Sequence, residues 1–161
     1  MKTQFFASST TLQRPLPQNA QTVTPPPAGS VRVSLHRMID QLLAGLQPLA
    51  LRHGNILFNG IPEHLAINAD ENMLAYVLGS MIHSAVAGRK NEFIQIAVLV
   101  AEDRTIICVK DVGTYYYHAI STEYRKIQYA AEKLGGSISV DNDDSLCTNV
   151  SFSISNRLLA A

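Results

Sequence analysis

A chain of 161 residues suits one domain around one hydrophobic core. Its 13 basic and 13 acidic residues cancel to a formal net charge of zero, which argues against a general nucleic-acid or membrane-surface binder, because both need a basic excess. Apolar residues make up 47% of the chain, but no run reaches the roughly 18 needed to span a bilayer, so no membrane span is expected. Cys108 and Cys147 lack metal-ligand spacing and are expected to be reduced core residues rather than a disulfide.

Residues 1–30 differ in composition from the rest. They hold five of the seven prolines, many Ser, Thr and Gln, and no acidic residue. Such a segment buries too little apolar surface to offset its ordering entropy, and disorder is expected; the alternative is a short Pro-rich docking peptide. "MKTQFFASSTTLQ" lacks the continuous apolar core of a signal peptide, which predicts a cytoplasmic protein. The folded domain is expected over 31–161.

"VRV" (31–33) reads as a short strand. Ser34 is a candidate N-cap for a helix with Leu35, Met38, Ile39, Leu42, Leu46 and Leu49 at helical spacing. Pro48 is expected to kink it or end its regular part; Arg52, His53 and Gly54 form a basic last turn with a glycine stop. "NILFNG" and "HLAIN" read as strands. Asp70 caps a second helix whose buried face is Leu74, Val77, Leu78, Met81, Ile82 and Ala85, with Gly88 at its end.

"EFIQIAVLVAE" and "RTIICVKDVG" read as long strands joined at Asp103. Ser121 or Thr122 is the expected cap of a third helix, with Tyr124, Ile127, Ala131 and Leu134 on one face and Gly135-Gly136 as its stop. In the last two strands Ile138, Val140, Val150, Phe152 and Ile154 point one way, and Ser137, Ser139, Ser151 and Ser153 the other. The resulting order, β-α-β-β-α-β-β-α-β-β, predicts an α+β fold: a two-layer sandwich with helices on one face of a mixed sheet. The outer positions Phe93, Ala97, Leu99, Ile106 and Cys108 are more apolar than those serines. They mark a dimer or partner surface if that side faces solvent; the alternative is a wrong strand register.

Four stretches, in order, resemble the ATP-binding domain of sensor histidine kinases, part of the GHKL ATPase superfamily. They are "NADENMLAYVLGSMIHSAV", "ICVKDVG", "AAEKLGGSISVDN" and "CTNVSFSIS". The resemblance covers about 31–155 and implies a Bergerat-like fold. It also implies a base-reading group: Asp111 matches the aspartate that reads the adenine amino group, Gly113 the glycine beneath the base, and Thr148 the threonine supporting that aspartate. On the second helix, Ser84 matches the asparagine that holds magnesium, and Ser80 the residue one turn earlier, involved with water.

The departures fall on the phosphate and metal side. A serine hydroxyl is a weak substitute for an amide oxygen on magnesium. His83 neighbours Ser84 but points about 100° away on a helix. Tyr115 replaces the second glycine of the family's Asp-x-Gly-x-Gly box, and Thr114 to Thr122 contains no glycine, so the phosphate-wrapping lid has no counterpart. Residues 1–30 are also too short and proline-rich for the helical hairpin that carries a phosphoacceptor histidine.

Each candidate has a plainer reading. Asp111 serves equally as a strand-end turn former. Ser80 and Ser84 read as small helix-packing residues, and His83 as a surface histidine beside the core. Tyr115, Tyr116 and Tyr117 with His118 fold over a vacant pocket, stack on a flat ligand, or form a partner hot spot; closure ranks first. The expectation is a non-catalytic relative of kinase ATPase domains, with no catalytic residue, metal or cofactor of its own. It would bind a signalling protein such as a phosphotransfer helix bundle or a response regulator, with a homodimer as a further possibility. The alternatives are an ATP- and magnesium-dependent protein kinase of histidine kinase or anti-sigma type, and a purine-ligand sensor.

Overall fold

The computed structural model describes residues 29–112, 117–143 and 147–156, so the expectation for residues 1–28 lies outside the described residues. The elements follow the expected order. Strand β1 (Val31–Ser34) pairs antiparallel with β3 (Ala66–Ala69) in a two-stranded ribbon. Strands β2 (Ile56–Asn59), β4 (Phe93–Val100), β5 (Arg104–Val112), β6 (Gly136–Asp143) and β7 (Cys147–Ser155) form a five-stranded sheet of order β2-β4-β5-β7-β6. The β2–β4 pair is parallel and the others are antiparallel, so the sheet is mixed as predicted. Helices α1 (Leu35–His53), α2 (Glu71–Gly88) and α3 (Tyr117–Lys133) cover one face. No helix among the described residues is long and apolar enough to cross a membrane.

The core lies between that face and the helices. Phe152, Ile154, Ile107, Ile94 and Ile96 meet Leu74, Leu78, Met81 and Ile82, all at 0–1% exposure. Each such side chain contributes about 1.5–3 kcal/mol through the apolar surface it removes from water. Tyr124, Ile127, Ala131 and Leu134 of the third helical segment are buried as expected.

Local details correct several expectations. Ser34 stands at the N-cap of α1 in an extended conformation, but its side chain makes no capping bond. The main-chain N–H of Leu35 instead bonds to the Leu65 carbonyl at 3.0 Å, so the preceding ribbon fixes this end. Pro48 does not end α1, which runs on to His53 and stops at Gly54 in the left-handed region, φ 71°. Leu43 and Ala50 join the buried face, while Leu42, Leu46 and Leu49 are only partly buried. Helix α3 starts at Tyr117, so Ser121 and Thr122 lie inside it. Capping preference is a weak prior, and a hydroxyl residue is tolerated within a helix.

Cys108 is not a core residue. It is half-buried, on the sheet face away from the helices, between the core-facing Ile107 and Val109. Cys147 opens β7 opposite Val112.

One buried polar residue ties three elements together. Asn55, 3% exposed, donates its side-chain amide to the carbonyls of Val86 (3.0 Å) and Arg89 (3.1 Å) and accepts from the N–H of Glu92 at 3.1 Å. The first bond satisfies one of the carbonyls that the last turn of a helix leaves open. This amide fixes where α2 ends relative to the start of β2 and β4.

Candidate functional site

The second helix positions the site. Asp70 accepts the Met73 N–H at 2.9 Å and fixes the start of α2. The inward stripe of α2 is fully buried, as its sequence spacing predicts. On another stripe Tyr76, Gly79, Ser80, His83 and Ser84 face Tyr124, Lys126 and Ile127 of α3 across a cleft of about 330 Å³. Ser80 and Ser84 are half-buried there, four residues apart on one helix face as expected. His83 is exposed and lines the same cleft, despite the angle that separates it from Ser84.

The chemistry of this wall is hydroxyl, imidazole and ammonium. Tyr76, Ser80, Ser84 and Tyr124 supply hydroxyls, while His83 and Lys126 supply nitrogen donors. No carboxylate lies among these lining residues. Magnesium demands near-octahedral oxygen coordination, usually with carboxylate or amide oxygen. The residues described here do not fit that ion. Among the described residues no group of three or more His, Cys, Asp or Glu is placed to hold a metal.

Asp111 and Thr148 are brought together by strand register: they stand directly opposite each other on β5 and β7. Gly113, Tyr115 and Tyr116 lie outside the described residues, while Tyr117 and His118 open α3.

Lys126 and Tyr76 were missed from sequence. Tyr76, Ser80 and His83 recur at helical spacing, so a second periodic stripe on α2 was there to be found. Lys126 carries no local signal; only the packing of α3 beside α2 brings it to the cleft. A second pairing also went unseen. His36 Nε2 lies 3.2 Å from the Asp40 carboxylate, while Nδ1 meets the Ile61 carbonyl at 2.6 Å. Asn59 donates to Asp40 at 2.7 Å. With both ring nitrogens engaged, this is a clasp between α1 and the end of β2.

A further hollow of about 360 Å³ lies at the other end of the sheet, lined by Asp103, Arg104, Gly135, Gly136, Ser137, Ser153 and Ser155. The exposed Asp103–Arg104 pair at 3.4 Å balances its charge.

No protein-family model matches the sequence, and no curated protein does. Solved structures do match. The catalytic domain of histidine kinase ThkA superimposes with a TM-score of 0.65 at 17% identity, covering 78% of this chain and 95% of that one. Acinetobacter baumannii histidine kinase AdeS gives 0.69 at 13% identity, over 78% of this chain and 66% of its own. ThkA in complex with response regulator protein TrrA gives 0.68 at 14% identity, over 82% of this chain and 43% of that longer one.

The fold is that of histidine kinase catalytic domains. The α2–α3 cleft holds Ser80 and Ser84, and the β5–β7 register sets Asp111 opposite Thr148. The expected two-layer architecture is met, and the wrong-register reading of the outer strand positions is excluded: Phe93 and Leu99 are exposed, while Ile94 and Ile96 are buried.

Proposed function

We propose that this chain is a non-catalytic, kinase-domain-like binding or regulatory module of bacterial two-component signalling, whose partner is a phosphotransfer helix bundle or a response regulator. The observation that carries the reading is the α2 wall. Ser80, His83 and Ser84 line it, with no carboxylate or amide oxygen for magnesium. The fold supports a partner from that signalling class, and one kinase of this fold, ThkA, is known in complex with a response regulator. The partner is argued from likeness of fold and is tested separately from the cleft.

Calorimetric titration with ATP and ADP, with and without magnesium, tests the first half. The expected trace shows no magnesium-strengthened heat. A magnesium-strengthened signal with a millimolar or tighter constant, about 4 kcal/mol of binding, would overturn the non-catalytic reading. Capture from cells with mass spectrometry tests the second half: response regulators or phosphotransfer proteins are expected to be enriched over a bait with a mutated cleft.

A second reading is favoured by Lys126. With His83 it brings two basic side chains to a cleft whose lining holds no acid. This arrangement suits a purine-type or phosphorylated ligand bound without metal. Binding that is unchanged by chelator and weakened by Lys126→Ala would select this reading over the first.

A further inference from the structure

The sequence holds one Asn-Gly dipeptide, Asn59-Gly60. An asparagine before glycine is chemically fragile, because glycine has no Cβ to hinder attack by its own main-chain nitrogen on the asparagine side chain. The fold places this pair at the end of β2, in the clasp between that strand and α1. Every group that the reaction needs is engaged there. The Asn59 side-chain N–H groups donate to the Asp40 carboxylate at 2.7 Å and to the His36 carbonyl at 3.1 Å. The Asn59 side-chain oxygen accepts the Ile61 N–H at 3.0 Å. The Gly60 N–H donates to the Ile96 carbonyl at 2.7 Å. A Cβ on Gly60 would stand 2.7 Å from the same carbonyl, so the Gly60 main chain is pressed against β4.

We propose that Asn59 is a deamidation site, reached only from molecules in which the end of β2 has left the sheet, and that the product no longer docks as the asparagine does. In the reaction the Gly60 main-chain nitrogen forms a bond to the Asn59 side-chain carbonyl carbon. The bond from that carbon to the amide nitrogen breaks, and ammonia leaves with the proton of the Gly60 N–H. Water then opens the resulting succinimide to aspartate or isoaspartate.

The gate is the edge position of β2. Among the described residues this strand has one neighbour in the sheet, β4, over four residue pairs. Such an edge opens at a lower free energy than the whole fold. While it is docked, nucleophile and carbonyl carbon are held for other partners. The product fits poorly for reasons of charge and length. Aspartate at 59 sets a second carboxylate against Asp40 in place of the amide that donates to it, and loses the bond to the His36 carbonyl. The His36 ring offers no free nitrogen, being engaged by Asp40 and the Ile61 carbonyl. Isoaspartate adds a carbon to the main chain and shifts the Gly60 and Ile61 N–H groups off their partners. None of these residues lines the α2–α3 cleft, so this inference is independent of the functional reading.

The test is incubation of the full chain in warm, mildly alkaline buffer, followed by peptide mass spectrometry and isoaspartate-specific methylation. Conversion of Asn59 is expected to be at least about tenfold slower in the folded chain than in the same chain unfolded in guanidinium chloride, which corresponds to about 1.4 kcal/mol or more for detaching β2. Asp40→Ala removes one bond of the clasp and is expected to speed conversion in the folded chain severalfold. Asn59→Asp, which copies the product, is expected to speed hydrogen exchange of the Gly60 amide about tenfold or more while the amides of β5 and β7 keep their protection. Equal conversion rates in folded and unfolded chain overturn the proposal. So does a folded Asn59→Asp chain whose Gly60 amide exchanges as slowly as in wild type. If Asn59→Asp fails to fold, Asp40→Ala decides the matter, and an unchanged conversion rate in that variant overturns the gate.

Discussion

The two sides of α2 obey different rules. One side, Leu74, Val77, Leu78, Met81 and Ile82, is at 0–1% exposure and packs against sheet and α1. The other, Tyr76, Ser80, His83 and Ser84, faces an open cleft. Close packing limits every change on the buried side, because a lost methylene leaves a cavity that the surroundings only partly fill. The exposed Tyr76 and His83 on the cleft side carry no such packing limit. A helix of this kind keeps its place in the kinase-domain fold while the residues that face the cleft change.

Stability measurements can break that contrast. Met81→Ala or Leu78→Ala is expected to cost about 2–5 kcal/mol, read as a lower denaturation midpoint. Asn55→Ala, which removes the side-chain bonds to the Val86 and Arg89 carbonyls and to the Glu92 N–H at the end of the same helix, is expected to cost about 1–3 kcal/mol. Asp70→Ala removes the bond to the Met73 N–H and is expected to cost about 1 kcal/mol, with the loss confined to the helix start in hydrogen exchange. Ser80→Ala and His83→Ala are expected to stay within about 0.5 kcal/mol of wild type. A cleft-side loss as large as a buried-side one would remove the contrast.

The smallest expected effect is chemical. Burial pushes the Cys108 thiol up, Lys110 opposes this, and Asp141 adds to it. A raised thiol holds its proton to higher pH, so less of the reactive thiolate is present at a given pH. Alkylation of Cys108, followed by peptide mass spectrometry, is therefore expected to rise at higher pH in the folded chain than in the urea-unfolded chain.

The buried side was legible in the sequence because packing writes a period. The stripe from Leu74 to Ala85 and the alternation from Val150 to Ile154 were enough to place helix and strand, and so the sandwich. The misreadings fall at helix ends. Ser34 looks like a cap, but Leu65 does its work. Ser121 and Thr122 look like a helix start, but the helix begins at Tyr117. In the site, Ser80 and Ser84 were singled out through one motif, Asp111 through a second and Thr148 through a third, and strand register sets the last two opposite each other. Lys126 was invisible because its role depends on where α3 lies, which no local pattern encodes.

The parallel pairing of β2 with β4 has a consequence for how the molecule forms. Strands β4 and β5, and likewise β6 and β7, are neighbours in sequence and close over short turns. Strand β2 joins β4 beside the Asn55–Glu92 bond, which spans 37 residues and encloses β3 and all of α2. The two hairpins join each other over a like distance, since Thr105 on β5 bonds to Asn156 just past β7 across 51 residues. Both closures cost loop entropy before their contacts form, so the local hairpins are expected to form first and the non-local pairings to follow. The expected kinetic signature is protection within the β4–β5 and β6–β7 hairpins ahead of the Ile56 and Gly60 amides in pulse-labelled exchange.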